Sequence, residues 1–202
     1  MVASTVGARA QLFAVESTYN PGGTYGSAPS GTTYGWSFSV GETPLSVTHL
    51  GYFDAGLDGL VDEHRVGIWD FSGALLVEGT VPAGAIGTDA GAYAFTSVDA
   101  TTLPANETYF IGGMSPSASD AVIAFAGPQT YAPQVTYLGA SYSETGGFTA
   151  PDTLYGASHG IFGPNFQFTP IPEPHHHATL AGIGLAIFFG VRRRISSHEE
   201  HL

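Results

Sequence analysis

The sequence predicts an all-β protein: a single β-sandwich or jelly-roll-like domain followed by one C-terminal transmembrane helix. Three observations point there. Gly, Pro, Ser and Thr interrupt the chain about every ten residues, and between the breaks Val, Ile, Tyr, Phe and Trp alternate with small or polar residues. No stretch before residue 175 sustains a helical period. Beyond it, an uncharged apolar run over 178–191 ends in Arg192-Arg193-Arg194.

Nine strands are expected, over 35–40, 46–53, 64–70, 75–81, 93–98, 108–112, 121–125, 135–142 and 165–169. In the first, Trp36, Phe38 and Val40 share one face at the two-residue period of a strand. In 64–70, Val66 and Ile68 share one face and Arg65, Gly67 and Trp69 the other. These aromatic residues are expected in the core. Asp70-Phe71-Ser72-Gly73 carries Asp at the first and Gly at the fourth position of a type I turn, which makes 64–70 and 75–81 a hairpin. So many short strands in one domain fit two packed layers.

Three segments divide the chain: 1–10, 11–170 and 171–202. Ala8-Arg9-Ala10 has the small-x-small spacing of a signal-peptide cleavage site ahead of Gln11, so 1–10 reads as the remnant of a secretory signal. Met1 to Gly7 supplies neither a basic nor an apolar signal region, and the expectation is a start codon further upstream. In the last segment Pro172-Glu173-Pro174 precedes the apolar run. At ~1.5 Å per residue, 178–191 spans about 21 Å against a hydrocarbon core of ~30 Å. Starting the helix at His175 adds about a turn, and the three arginines reach the interface by snorkelling, as a cytoplasmic stop cluster does. Ala178, Gly182, Ala186 and Gly190 recur every four residues as a ridge of small side chains that another helix can approach closely.

The tail resembles the PEP-CTERM sorting signals of Gram-negative bacteria, in which Pro-Glu-Pro, a short transmembrane helix and a basic cluster are recognised by an exosortase. The likeness covers 172–194. It implies export, transient anchoring in the inner membrane, removal of the tail, and delivery to the cell surface or outside the cell. A second, weaker likeness covers 35–113, which resembles an uncharacterised β-domain of bacterial extracellular proteins. It rests on Gly51-Tyr52-Phe53-Asp54, Asp58-Gly59-Leu60, His64, Val66-Gly67-Ile68-Trp69-Asp70, Gly73, Val81-Pro82-Ala83-Gly84 and 109–112. It implies architecture and no chemistry.

Charge narrows the partners. Arg65 is the only basic side chain between Gln11 and Pro170, against fourteen Asp and Glu, a net charge of about −13. Such a field repels nucleic acid and anionic lipid, and attracts cations. Lysine and cysteine are absent, which excludes a disulfide framework and thiol chemistry.

Three places carry candidate chemistry. The loop 54–64 holds Asp54, Asp58, Asp62, Glu63 and His64 around Gly56 and Gly59. Carboxylates on a glycine-bent loop suit Ca²⁺, with Asp54, Asp58 and Asp62 as ligands. Position three of an EF-hand loop is however Gly56 and position twelve Arg65, so a solvated loop whose Asp residues satisfy its own turns competes with the metal site. His64 reads as a packed strand residue. Gly156-Ala157-Ser158-His159-Gly160 fits G-x-S-x-G, but Gly163-Pro164 follows where a nucleophile elbow needs a helix, so a surface loop is the expectation. His175-His176-His177 and His198-Glu199-Glu200-His201 sit in the tail; the second is one residue short of H-E-x-x-H. Asn106-Glu107-Thr108 forms a sequon.

These residues predict an exported surface or extracellular-matrix protein that is not an enzyme, sorted by an exosortase-type partner, with a structural or adhesive domain. The alternative is a carbohydrate-binding module, in which Tyr25, Tyr34, Tyr131, Tyr137, Tyr142 and Tyr155 offer stacking faces to an extracellular polysaccharide. A glycan-active enzyme is the third reading, and it requires a pair of carboxylates spaced ~5–9.5 Å apart.

Overall fold

The computed structural model describes residues 10–17, 25–88, 91–124, 129–156 and 160–172. The chain divides into two units, Met1–Ile171 and Pro172–Leu202. The expected membrane helix, Glu173, Pro174, Arg192, Arg193, Arg194, Ala8, the tail histidines and Ala157-Ser158-His159 lie outside the described residues. Among the described residues no helix is long and apolar enough to cross a membrane.

The described residues are all-β, in several sheets. Fifteen strands run in order: β1 Leu12–Phe13, β2 Val15–Glu16, β3 Gly26–Ser27, β4 Thr33–Val40, β5 Leu45–Phe53, β6 His64–Asp70, β7 Leu75–Val81, β8 Tyr93–Leu103, β9 Thr108–Met114, β10 Ala121–Ala124, β11 Thr130–Tyr131, β12 Val135–Tyr142, β13 Thr153–Gly156, β14 Ile161–Phe162 and β15 Pro164–Pro170. All nine expected strands form. The most extended correction is β8, which continues to Leu103 instead of stopping at Val98. Six short strands were not expected, namely β1, β2, β3, β11, β13 and β14. Each of these has two to four residues, too few to establish a period.

Two larger sheets carry the fold. One has the order β1-β15-β5-β8 and the other β13-β12-β4-β9-β6-β7; β14-β10-β3 and β11-β2 form small sheets beside them. Every strand pair is antiparallel. The alternation of β4 sends Trp36 and Phe38 inward, where both meet Phe166 of β15 at ring separations of 6.2 and 5.1 Å. Both residues are fully buried. The Trp36 indole N–H donates to the Pro164 carbonyl at 3.0 Å, so this large ring is buried with its donor satisfied.

The outer face of the six-stranded sheet is partly covered. Gly35, Gly112 and Gly67 stand opposite one another across β4, β9 and β6. A methyl group on Gly67 would come within 2.9 Å of Phe148, and one on Gly112 within 3.0 Å of Pro151. Gly67 and Gly112 thus leave a shallow trough against which Phe148 and Pro151 pack, at the strap 143–152. Thr33 fastens the strap: its hydroxyl donates to the Gly147 carbonyl at 2.7 Å and accepts from the Thr149 N–H at 3.3 Å. Trp69 is therefore buried as expected, but on this outer face, against Phe148 at 5.0 Å. Arg65 lies over the same ring at 4.0 Å and pairs with Glu78.

The hairpin turn forms as read. The Gly73 N–H donates to the Asp70 carbonyl at 3.0 Å, and Gly73 takes the left-handed backbone (φ 85°) that a side chain resists. The Asp70 carboxylate accepts from the Ser72 hydroxyl and the Ser72 and Ala74 N–H groups. These bonds, led by the Ser72 hydroxyl, hold its pKa below the usual carboxylate range.

Candidate functional site

Strand register brings most of the singled-out residues to one end of the six-stranded sheet. Thr33 faces Met114, which faces Arg65, while Tyr34 faces Tyr142. His64 therefore stands at that end on β6, and the tyrosines stand there on β4 and β12.

The loop 54–64 is organised by carboxylates turned inward. Asp54, at 3% exposure, accepts from the Gly56, Gly59 and Gly87 N–H groups at 3.4, 3.1 and 3.0 Å. Gly59 takes a left-handed φ of 97°, which aims its N–H at that carboxylate. Asp58 folds back over Gly56, where an added methyl group would meet its Oδ1 at 2.3 Å. Asp62 accepts from the Ser117 hydroxyl. The expected calcium ligands Asp54, Asp58 and Asp62 are thus not brought together. Among the described residues no group of three or more His, Asp or Glu is placed to hold a metal ion. The physical reason is that the tight turns leave backbone N–H groups needing acceptors, and Asp54 supplies them from inside the loop.

Asp120, not singled out in the sequence, is the second organiser. Its two oxygens accept from the Val61 and Asp62 N–H groups, both at 2.9 Å, and Oδ2 lies 2.9 Å from His64 Nε2. His64 Nδ1 lies 3.2 Å from the Met114 carbonyl, and its ring stacks on Tyr52 at 3.6 Å and 5°. Tyr52 belongs to the four-stranded sheet, so the stack joins the two large sheets at this end. Both nitrogens of His64 are engaged and its side chain has no exposure, which leaves nothing to serve an incoming substrate. This is a packed, bonded histidine, as the strand reading expected. The only sequence signal for Asp120 is its position at the end of the serine-rich stretch 115–119, which links β9 to β10.

Leu60 and Gly84, both among the residues behind the weaker resemblance, meet here, and neighbouring backbone groups tie the loop further. Gly84 N–H donates to the Leu60 carbonyl at 2.7 Å, Leu60 N–H to the Ala85 carbonyl at 3.1 Å, and Asp54 N–H to the Ala92 carbonyl at 2.8 Å.

The six tyrosines fall into separate groups. Tyr131 and Tyr137 stack at 5.4 Å but pack on Phe162, and Tyr25 packs on Phe53. Tyr34, Tyr142 and Tyr155 form a row across β4, β12 and β13. Ala10 and Gln11 are exposed, and the Gln11 amide donates to the Thr48 hydroxyl at 2.8 Å. Asn106 is exposed in the turn before β9, with a left-handed φ of 61°. A cleft of about 540 Å³ between β7 and β8 is lined by Glu78, Thr80, Thr96 and Asp99, among others. No family model matches the chain, and no curated protein matches it.

Proposed function

We propose that the chain is an exported cell-surface or extracellular-matrix protein, processed by an exosortase-type enzyme at its tail, whose acidic β-sandwich has a structural or adhesive role. In this reading Pro172, Glu173 and Pro174 are the sorting motif, Arg192, Arg193 and Arg194 the cytoplasmic stop, and the inner membrane a transient anchor. The succession of motif, apolar run and arginines in the tail sequence carries the proposal, and the position of the last strand supports it. β15 pairs with β5 through Pro170, and Ile171 N–H donates to the Pro44 carbonyl at 2.8 Å, immediately before the motif. Cleavage at Pro172-Glu173-Pro174 would remove no strand of the described fold. The non-enzymatic reading is supported by the occupation of His64, Asp54 and Asp120 in holding the loops.

The test is intact-mass analysis in an exosortase-bearing host. The expected product is a surface or released chain that ends near the motif and lacks Arg194. Replacing Pro172-Glu173-Pro174 with alanines should leave the tailed precursor in the membrane. A surface chain that retains Arg194, or identical processing of the variant, overturns the proposal.

A further inference from the structure

On β4 the inward face presents Tyr34, Trp36 and Phe38, and the last two lie beneath Phe166 of the four-stranded sheet. Tyr34 lies one step further along and is only partly buried. β12 sets Tyr142 opposite it in register, with the rings stacked at 6.0 Å and 19°. β13 adds Tyr155, edge-on to Tyr142 at 5.9 Å and 77°. Three neighbouring strands therefore each contribute one tyrosine to a row that leaves the core and reaches the sheet edge. Tyr155 is 53% exposed and the adjoining Leu154 63% exposed. The Tyr142 hydroxyl donates to Glu144 Oε1 at 3.4 Å, and Glu144 and Asp152 are themselves exposed.

We propose that this row binds a neutral, extended polysaccharide. Aromatic side chains with a polar tip suit a partner that has apolar C–H faces and hydroxyl edges. Neighbouring strands lie ~4.8 Å apart, close to the length of one pyranose residue, so successive sugars meet successive strands. Glu144 and Asp152 supply acceptors for sugar hydroxyls. Charge selects the neutral class: Arg65, the single basic side chain of 11–170, is held by Glu78 and Phe148, and the carboxylates beside the row repel uronates and sulfates. An acidic peptide or nucleic acid is disfavoured on the same ground.

The inference rests on the adhesive reading above, and its test is separate from sorting. The full chain is run in native gels containing hydroxyethylcellulose, laminarin, galactomannan or alginate. Retardation is expected with at least one of the three neutral polymers and not with alginate. Tyr155→Ala should weaken it on the order of tenfold, as the loss of one aromatic contact does, whereas Tyr155→Phe should retain it. Tyr142→Ala is scored with its urea midpoint; if it unfolds, the comparison of Tyr155→Ala with Tyr155→Phe at the exposed edge carries the mutational test. No retardation by any neutral polymer, retardation by alginate alone, or unchanged binding by Tyr155→Ala overturns the proposal. A chain that is processed at its tail yet ignores every glycan overturns this inference and leaves the sorting proposal standing.

Discussion

His64 Nε2 lies 2.9 Å from Asp120 Oδ2, and this contact, with the Tyr52 ring stacked on the face of the imidazole, ties the two large sheets together at one end. The histidine side chain is fully buried and the aspartate nearly so. Asp120 also holds the Val61 and Asp62 N–H groups, so one carboxylate fixes both the strand β6 and the loop that enters it.

Removing either partner strands the other. Asp120→Ala and His64→Ala are each expected to destabilise the fold by about 3–5 kcal/mol, the cost of breaking a buried pair. Because the residues share one network, the double variant should lose less than the two single losses added together. Urea unfolding of the four proteins measures this. Additive losses would show that the pair is not energetically coupled.

Asp54 and Asp58 should behave differently although they share one loop. Asp54→Ala leaves three backbone N–H groups without their acceptor and is expected to cost about 2–4 kcal/mol. Asp58→Ala, at an exposed position, should stay within ~0.5 kcal/mol. Millimolar Ca²⁺ should leave the melting temperature unchanged, since binding to the native state would raise it. A Ca²⁺-dependent rise that Asp54→Ala abolishes would restore the metal reading.

The strands were legible in the sequence because β4, β6, β7 and β12 each alternate over seven or eight residues, long enough for the two-residue period to show. β1 and β14 are two residues long and owe their pairing to Phe168 and Ile123 elsewhere in the chain, which no local pattern reveals. The burial of the outer face of β4 was illegible for a related reason. Thr33 is covered by a strap more than a hundred residues away, a contact that no local pattern in β4 reveals. The candidate site was half legible: Asp54 and His64 stand out in a dense polar loop, whereas Asp120 lies 56 residues beyond its partner. Glycine at 56 and 59 fitted both a metal loop and a self-satisfied turn, and the inward carboxylate of Asp54 separates them.

Alkaline pH should unfold the protein through its tyrosines. Burial pushes the Tyr52 and Tyr93 phenols well above their ordinary range, and the Asp120 carboxylate adds to the effect on Tyr52. Burial raises Tyr109, Tyr131 and Tyr137 to about 12. Below pH ~10 the phenols are neutral in both states and this stabilisation is complete. Between ~10 and about 12 the unfolded chain releases protons that the native state keeps, so stability falls as pH rises. Tyrosinate absorbance should therefore rise in two phases, with the second coinciding with loss of the fold. A single smooth titration of all ten tyrosines near pH 10 would contradict the buried positions.

Gly35 and Ser141 face each other across β4 and β12, and a methyl group at each should act with opposite sign. An added Cβ on Gly35 would lie 1.9 Å from the Ile111 carbonyl oxygen, a backbone atom that cannot move without parting β4 from β9. Gly35→Ala is therefore expected to cost about 3 kcal/mol or more, at the upper end of overpacking losses. Ser141 already has its Cβ, and its hydroxyl is fully buried with no partner among the described residues. That hydroxyl gave up water on folding without a replacement bond, so Ser141→Ala removes a cost without opening a large void. It should be neutral or raise stability by up to ~1 kcal/mol. Paired urea titrations test both, and a Ser141→Ala protein destabilised by more than ~1 kcal/mol would mean that the hydroxyl is bonded after all, most simply to a buried water.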